Sequence, residues 1–419
     1  MKNFVGELKW RGLIHDITPK TEDYLLKNST AGYIGFDPTA DSLHIGNLVQ
    51  IMTLVHFQKC GHTPIILIGG ATGMIGDPSG KSKERSFLDE ETLINNQRKI
   101  KKQFEKFLNF SGNNSASIVN NKTWFEDFNI LDFLRKVGKH ISLNYMTAKD
   151  SVKNRLETGI SFTEFCYQLI QGYDFYWLWK NKDVRIQFGG SDQWGNIVSG
   201  IDLIRKINNE EVFGITTPLI TTSSGKKMGK TEGGAIWLSE DKLDVNSFWQ
   251  YWRNTSDEDV VRFLYLFTEI ENKQIEKFHS LKGEELNDIK ILLANEVTKL
   301  CHSEEKATSA ESEAKLILSS EELNVNTLRN TSNKITLKHN QISTGVSLKQ
   351  ILIDLKLCTS NGEAKRLIDQ NAVKINKEII RDKDYILHQE LFIKELNQKD
   401  QYIVIYVGKK KYGVVELIT

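Results

Sequence analysis

Two short stretches of the chain carry residues that could hold a polyphosphate. In the first, 33–48, alternating apolar residues stop at Asp37, and a helix begins near His44. The first N–H groups of a helix have no partner inside it and lie at the positive end of its dipole, so they stabilise an anion. His44 adds a donor, and Gly46 lets a flat ring approach the backbone. An ordinary capped helix is the alternative interpretation.

The second stretch, 225–231, places three lysines among glycines as G-K-K-M-G-K-T. Glycines let such a loop approach a ligand closely, and lysines supply cations for phosphate. A solvated basic surface loop is the alternative for this run by itself. Because both stretches occur in one chain, we favour a nucleotide site that uses Lys227 and Lys230.

The two stretches resemble the H-I-G-H and K-M-S-K-S signatures of class I aminoacyl-tRNA synthetases. Y-I-G-F-D-P-T-A-D-S-L-H-I-G, G-G-A-T-G-M-I-G-D-P-S-G, G-I-S-F-T-E-F and G-G-S-D-Q-W-G-N follow one another as in the bacterial tyrosyl enzymes. The resemblance covers essentially the whole chain. It implies that tyrosine is activated with ATP to tyrosyl-adenylate and pyrophosphate and is then transferred to the 3′-terminal ribose of tRNA(Tyr). It also implies Mg²⁺ on the phosphates of ATP, and we expect no protein-bound metal.

Composition limits the class of protein. At 419 residues we expect two to four domains, and a formal net charge of +1 gives no global attraction to RNA. Four cysteines without any C-x-x-C pair argue against a zinc site or a disulfide framework. The first ten residues fit neither a secretory signal nor a transit peptide, and no stretch has the roughly 20 apolar residues that span a bilayer. We therefore expect a cytoplasmic protein that does not enter a membrane.

The order of apolar segments predicts the catalytic fold. A strand before Asp37, a helix over 48–60 and the apolar run at 65–68 follow one another. This order predicts a doubly wound α/β domain with a parallel, Rossmann-like sheet, whose ligands lie beyond the carboxyl ends of the strands. We expect a helix over 88–107 and a polar loop over 111–121.

The helix expected over 161–179 carries a polar cluster. Tyr167, Gln171 and Asp174 are spaced by four and three residues, so they lie on one helical face. The alternative is a solvated polar face beside core aromatics. The resemblance implies that Tyr167, Gln171 and Asp77 bind the amino group of tyrosine, and that Asp174 and Tyr33 bind its phenolic hydroxyl.

The expected strand 184–188 ends in G-G-S-D-Q-W, where glycines admit a nucleotide and an acidic side chain can bind ribose. A plain tight turn is the alternative. The resemblance implies an ATP and adenylate site formed by Gly35, Asp37, Thr39, Gly46, Gly190, Asp192 and Gln193. It implies a catalytic set of His44, Asn47, Lys227, Lys230, Lys81 and Arg85, of which Lys81 and Arg85 close over pyrophosphate.

Two positions depart from the family pattern. Asn47 stands where the general signature has a second histidine, although its amide still donates hydrogen bonds. Ile34 occupies a position that is often cysteine in the family, so a ribose contact is lost there.

We predict four segments: a catalytic domain over 1–232 whose middle part forms a homodimer by resemblance, an α-helical anticodon-stem-binding domain over 233–318, a linker over 319–344, and an α+β RNA-binding domain over 345–419. The last segment resembles a domain of a small-subunit ribosomal protein and has 13 Lys and Arg against 10 Asp and Glu. Its candidate phosphate contacts are Lys365, Arg366, Lys374 and Lys409 to Lys411. A solvated basic face is the alternative.

Two rival functions remain open at this point. A tryptophanyl-tRNA synthetase shares the fold, but the pair Tyr33 and Asp174 argues against it. A catalytically silent RNA-binding relative is the other rival, and the intact His44, Gly46, Lys227 and Lys230 argue against that one.

Overall fold

The computed structural model describes residues 2–77, 79, 88–153, 159–223, 225, 228, 230–231, 234–319, 333–393, 401–408 and 411–418. The chain forms two compact units, Met1–Gly229 with Val261–His279, and Lys230–Val260 with Ser280–Thr419. The four-segment division expected from the sequence stays a prediction, because compactness alone does not separate the helical and terminal domains.

A six-stranded sheet forms the centre of the first unit. Its strands are β1 (Asp16–Ile17), β2 (Ala31–Phe36), β3 (Thr63–Ile68), β4 (Ser117–Asn120), β5 (Val184–Gly190) and β6 (Phe213–Thr217). Their spatial order is β1-β6-β5-β2-β3-β4, and all neighbours are parallel except β1, which is antiparallel to β6. The chain order reverses between β2 and β5, so the carboxyl ends of these strands border a ligand crevice. The predicted doubly wound α/β fold is confirmed.

Helices connect these strands. They are α1 (Phe4–Arg11), α2 (Thr21–Lys27), α3 (Ile45–Lys59), α4 (Thr72–Ile75), α5 (Glu90–Phe104), α6 (Lys122–Phe125), α7 (Ile130–Lys136), α8 (Leu143–Thr147), α9 (Asp150–Lys153), α10 (Phe162–Lys182), α11 (Trp194–Asn208), α12 (Val245–Arg253), α13 (Val260–Phe267) and α14 (Asn272–Ile275), of which α12 belongs to the second unit. Side-chain caps fix several of the starts: the Asp89 carboxylate accepts from the Thr92 N–H, and the Ser161 hydroxyl from the Glu164 N–H.

Burial explains the strand β3. Five of its six residues are buried, and β-branched isoleucines dominate it. A strand covered by helices on both faces of a parallel sheet needs such a continuous apolar run. The helices α3 and α10 supply apolar side chains to this core, among them Phe57 and Phe175.

One segment of this sheet differs from its prediction. We expected a polar loop over 111–121, but β4 occupies Ser117–Asn120 and pairs in parallel with β3. This edge strand has only one neighbouring strand, and none of its four residues is fully buried although Ile118 and Val119 are apolar, so its sequence lacks the β3 pattern. The correction matters because the carboxyl end of β4 lies at the ligand edge of the sheet.

The second unit contains α12, then α15 (Leu286–Cys301), α16 (Glu304–Ser319), α17 (His339–Thr344), α18 (Leu348–Asp354) and α19 (Asn361–Asp369). Its strands are β7 (Lys230–Thr231), β8 (Gly234–Ala235), β9 (Lys334–Lys338), β10 (Val346–Ser347), β11 (Val373–Ile375), β12 (Glu378–Ile379), β13 (Ile386–Leu387), β14 (Gln401–Val407) and β15 (Lys411–Ile418). Five of these form a sheet in the order β12-β11-β14-β15-β9.

The end of the predicted linker needs a correction. Residues 334–344 form β9 and α17, and β9 pairs in parallel with β15, so this part belongs to the terminal sheet. Its polar sequence hid the strand, because only Leu337 of β9 is buried. Residues 320–332 lie outside the described residues. Within the described part of the chain, no helix is long and apolar enough to cross a bilayer.

Candidate active site

The start of α3 has the geometry expected of an anion site. His44 is the N-cap residue, and its Nδ1 accepts from the Gly46 N–H at 3.0 Å. The Asn47 Oδ1 accepts from the His44 N–H at 3.1 Å, so the two side chains form a reciprocal capping box. Because Nδ1 of His44 is the acceptor, its other ring nitrogen is the one that carries the proton. This bond uses only the oxygen of the Asn47 amide, so the N–H groups of the amide can still donate.

The lysine-rich loop reaches this helix start. Gly46 has little space: a β-carbon there would lie 2.7 Å from Cε1 of His44 and 3.4 Å from the main-chain oxygen of Met228. Met228 itself is buried, and its N–H donates to the Ile220 carbonyl at 2.9 Å. The main-chain oxygen of Met228, in the second stretch, therefore lies beside the helix start of the first stretch.

Several predicted catalytic residues cannot be located. Lys81, Arg85 and Lys227 lie outside the described residues. The backbone of Lys230 lies in β7, which pairs with β8, and its side chain is not described. Their catalytic roles stay predictions.

The predicted phenol-binding pair lies deep in the first unit. Tyr33 on β2 and Asp174 on α10 are both fully buried. The hydroxyl of Tyr33 has no hydrogen-bond partner among the described residues. Burial raises its pKa well above the usual value, and the charge of Asp174 adds to that rise. A buried hydroxyl beside a buried carboxylate is arranged to receive a further polar group.

Two residues that the sequence analysis missed hold Asp174. The Trp124 indole donates to its Oδ1 at 2.9 Å, and the Asn121 amide donates to its Oδ2 at 3.1 Å. Burial raises the pKa of Asp174 to about 8, although both of these hydrogen bonds act to lower it. The signal that could have found Asn121 is its position directly after β4, at the carboxyl edge of the sheet.

The other end of the pocket carries the groups predicted for the amine. The Tyr167 hydroxyl donates to Oδ2 of Asp37 at 2.9 Å. Oδ2 of Asp77 accepts from the Gln193 amide at 2.6 Å, while its Oδ1 accepts from the Ser79 N–H at 2.9 Å.

Burial and charge act together on this end. The pKa of the Tyr167 hydroxyl is raised by burial first and then by the nearby carboxylates, of which Asp37 is the largest contributor. The buried Gln171 Oε1 has no partner among the described residues. This end therefore concentrates acceptors, which suits a substrate ammonium.

The remaining predicted nucleotide residues border the same crevice. Gly35 is exposed near the end of β2, and the Thr39 N–H donates to the Asp37 carbonyl. Gly190 ends β5, and a β-carbon there would lie 2.7 Å from Oδ1 of Asp192. A glycine is thus required for that carboxylate to fold back over the strand end.

Gln187 is a further residue that the sequence analysis missed. It is the register neighbour of Tyr33 across the parallel pair of β5 and β2, so both side chains lie on the same face of the sheet. It is buried, and its Oε1 has no partner among the described residues. No sequence motif marks it, because it stands inside an apolar strand.

Comparison with known proteins decides the family. A family model for class I tRNA synthetases (W and Y) matches residues 26–319, and a model for the tyrosine–tRNA ligase SYY-like C-terminal domain matches residues 336–415. The tyrosine–tRNA ligase of Cytophaga hutchinsonii is 47% identical to the chain, with 98% of this chain and 99% of that protein covered. The chain belongs to the tyrosine–tRNA ligase family. The resemblance stated from the sequence is thereby confirmed.

Other relatives agree. The tyrosine–tRNA ligase of Porphyromonas gingivalis strain W83 is 44% identical over 99% of both chains. Among solved structures, a C-terminally truncated mitochondrial tyrosyl-tRNA synthetase of Aspergillus nidulans has a TM-score of 0.67 and 30% identity, and the match covers 76% of this chain and 94% of that one. The fold is therefore that of class I tRNA synthetases, a family that uses ATP.

The described residues include no group of three or more His, Cys, Asp or Glu side chains that could hold a metal ion. All four cysteines are thiols outside any disulfide, and three of them are buried.

Proposed function

We infer that this protein activates L-tyrosine with ATP to form tyrosyl-adenylate and pyrophosphate, and then transfers tyrosine to the 3′-terminal ribose of tRNA(Tyr). The observation that carries this inference is the closed end of the pocket, where the Asp174 carboxylate and the unpartnered Tyr33 hydroxyl are buried side by side. A para-hydroxylated ring satisfies both groups. Phenylalanine and tryptophan would leave them desolvated, at a cost of about 1–3 kcal/mol for each unpaired group.

The chemistry needs no general base, because an α-carboxyl group with a pKa of about 3.5 is already ionised at neutral pH. Catalysis then consists of positioning and of stabilising charge on the transferring phosphoryl group and the departing pyrophosphate. His44, Asn47 and the first N–H groups of α3 supply donors at one side. Lys81, Arg85, Lys227 and Lys230 supply cations from the two loops, and Mg²⁺ carried on the phosphates of ATP neutralises further charge.

The amine end selects an amino acid. Tyr167 gives its only hydroxyl proton to Asp37, so its oxygen is left to accept from a substrate ammonium. The carboxylate of Asp77 and the oxygen of Gln171 complete the acceptor set. Gln193, which donates to Asp77, and Asp192, which can bind the ribose hydroxyls, are the residues proposed at the adenylate.

A basic face of the terminal segment suits tRNA. Lys365, Arg366 and Lys411 are exposed, and Lys374 is half-buried. Lys409 and Lys410 lie outside the described residues. Side chains of this kind position an RNA backbone without reading its sequence. The four cysteines are thiols outside any disulfide, as expected in a reducing compartment, so a cytoplasmic location is part of the proposal.

A homodimer is also proposed. Between α7 and the start of α10, five large apolar side chains are exposed by half or more: Ile130, Leu131, Leu134, Leu143 and Phe162. This is the middle part of the catalytic domain, through which the resemblance implies association. A second copy of the chain is the occupant that such a patch predicts. Sedimentation of the wild type and of Leu131→Glu tests it: a dimer that becomes a folded monomer supports the proposal, and a monomeric wild type contradicts it.

The activity itself is tested by ATP–pyrophosphate exchange with three amino acids supplied separately. We expect exchange with tyrosine and at least 100-fold less with phenylalanine or tryptophan at equal concentration. Exchange that depends best on tryptophan would make the chain a tryptophanyl enzyme. Absence of exchange with all three would support the catalytically silent RNA-binding rival.

A further inference from the structure

A continuous series of side-chain hydrogen bonds joins the carboxylates of Asp174 and Asp37. From the phenol end, the Asn121 amide nitrogen donates to Oδ2 of Asp174 and to Oγ1 of Thr72, both at 3.1 Å. The Thr72 hydroxyl donates to Oδ1 of Asp37 at 2.7 Å, and Oδ2 of Asp37 accepts from Tyr167. Asp174 and Asp37 thus lie at the two ends of one donor network.

The direction of every bond in this network is fixed. The Asn121 Oδ1 accepts from the Ala71 N–H at 2.7 Å, so the amide cannot be turned over without placing N–H against N–H. Its two N–H groups therefore face Asp174 and Thr72. Since the Thr72 oxygen accepts from Asn121, its single proton is directed to Asp37.

The centre of the network is buried and closely packed. Asn121 is fully buried, and Thr72 is 2% exposed. A β-carbon on Gly69 would lie 2.1 Å from Oδ1 of Asp37 and 2.3 Å from Oγ1 of Thr72. Only glycine at this position leaves room for the bond between Thr72 and Asp37, because a methyl group would have to displace both side chains.

We propose that Thr72 is a positioning residue that fixes both ends of the tyrosine pocket at once. Its hydroxyl holds Asp37, which keeps the Tyr167 oxygen turned toward the substrate ammonium. Its oxygen accepts a hydrogen bond from Asn121 and so fixes that amide, which keeps the Asp174 carboxylate turned toward the phenol. The proposal rests on the proposed tyrosine activation, and it adds a residue that touches no part of the substrate.

The test compares ligands that report one end each. Phenylalanine lacks the phenol and reports the amine end, whereas 3-(4-hydroxyphenyl)propionate lacks the amine and reports the phenol end. Their inhibition constants are measured against tyrosine in ATP–pyrophosphate exchange, together with the KM for tyrosine. Thr72→Val removes the hydroxyl at nearly constant volume, and Thr72→Ser keeps it. Thr53→Val is the matched control, because Thr53 is also fully buried but bonds only to the Val49 carbonyl of its own helix.

In Thr72→Val we expect both inhibition constants to rise about 5-fold and the KM for tyrosine to rise about 25-fold, since each end loses about one hydrogen bond. The kcat should change less than the KM, because these contacts form in the ground state. Thr72→Ser should restore all three values to within about 3-fold, and Thr53→Val should leave them within about 2-fold.

Unchanged constants in Thr72→Val, or a rise confined to one analogue, would overturn the proposal. So would equal losses in Thr53→Val and Thr72→Val, which would indicate a general effect of losing a buried hydroxyl. If Thr72→Val does not fold, Thr72→Ala gives the same comparison of the two analogues. Wild-type protein without tyrosine-dependent exchange would instead contradict the proposed function, so the two failures are distinguishable.

Discussion

The closed end of the pocket, around Asp174, and the helix start around His44 differ in burial and in the kind of donor they use. Asp174 is fully buried and takes its hydrogen bonds from the side chains of Asn121 and Trp124. His44 is half-buried and organises main-chain N–H groups. Buried side-chain donors weaken the binding of a ligand that lacks the matching acceptor, because water does not replace the lost partner. Main-chain N–H groups at a helix start can donate to any phosphate, and they stabilise negative charge that moves during the reaction.

Asp174→Asn should have the largest effect of the variants that test this difference between the two regions. The variant loses an oxygen acceptor for the phenol and turns an N–H group toward either Asn121 or Trp124, both of which are donors. We expect kcat/KM for tyrosine to fall on the order of 1000-fold, from the lost hydrogen bond to the phenol and the buried unpaired donor together. Phenylalanine-dependent exchange is the control and should fall far less. Equal losses for both amino acids would show that Asp174 acts on the fold and not on the phenol.

At the helix start, two variants of His44 distinguish its helix-capping role from its catalytic role. His44→Ala removes both, whereas His44→Asn keeps an oxygen that can accept from the Gly46 N–H. We expect His44→Ala to lose about 1 kcal/mol of unfolding free energy and His44→Asn only a few tenths. Both should slow adenylate formation on the order of 100-fold in single-turnover kinetics, since both lose the ring donor. A His44→Asn variant with wild-type activation would show that the cap alone matters.

The buried carboxylate also predicts how stability depends on pH. In the folded chain the pKa of Asp174 is about 8, against an ordinary value of 3.8. Between these values the folded state binds the extra proton, so the contribution is complete below about pH 4 and is lost as the pH rises through 8. We expect the unfolding free energy of Asp174→Asn to fall less steeply over this range, by up to about 1.4 kcal/mol per pH unit. Urea unfolding at pH 5, 6.5 and 8 measures it, and parallel slopes would contradict it.

The smallest effect is expected at Asn47, where the family signature has a second histidine. The Asn47 oxygen accepts from the His44 N–H, and an imidazole nitrogen can do the same. We expect Asn47→His to change kcat/KM for ATP by no more than about 3-fold, because acceptor and donor are both retained. Asn47→Ala loses both and is the control. A gain of more than 10-fold in Asn47→His would mean that the natural asparagine limits this enzyme.

Local pattern predicted the elements that face this site. The apolar run of β3, the helix start at His44 and the polar spacing on α10 were all visible, since each depends on neighbours within a few residues. Weakly patterned segments are harder to predict: the sequence predicts a loop where β4 lies, and part of a linker where β9 and α17 lie. Edge strands bury few side chains, so their sequence carries little periodic signal.

By itself the sequence determined the family, and it predicted the nucleotide motifs and two carboxylates for tyrosine, Asp77 and Asp174. Only the tertiary structure decided which groups hold those carboxylates. Trp124 stands 50 positions before Asp174, and Gln193 stands 116 positions after Asp77. Such pairs arise where the carboxyl ends of separate parallel strands converge, and no local spacing announces them. A hydrogen bond between buried groups forms only where packing brings the two groups within about 3 Å. Folding alone sets that distance.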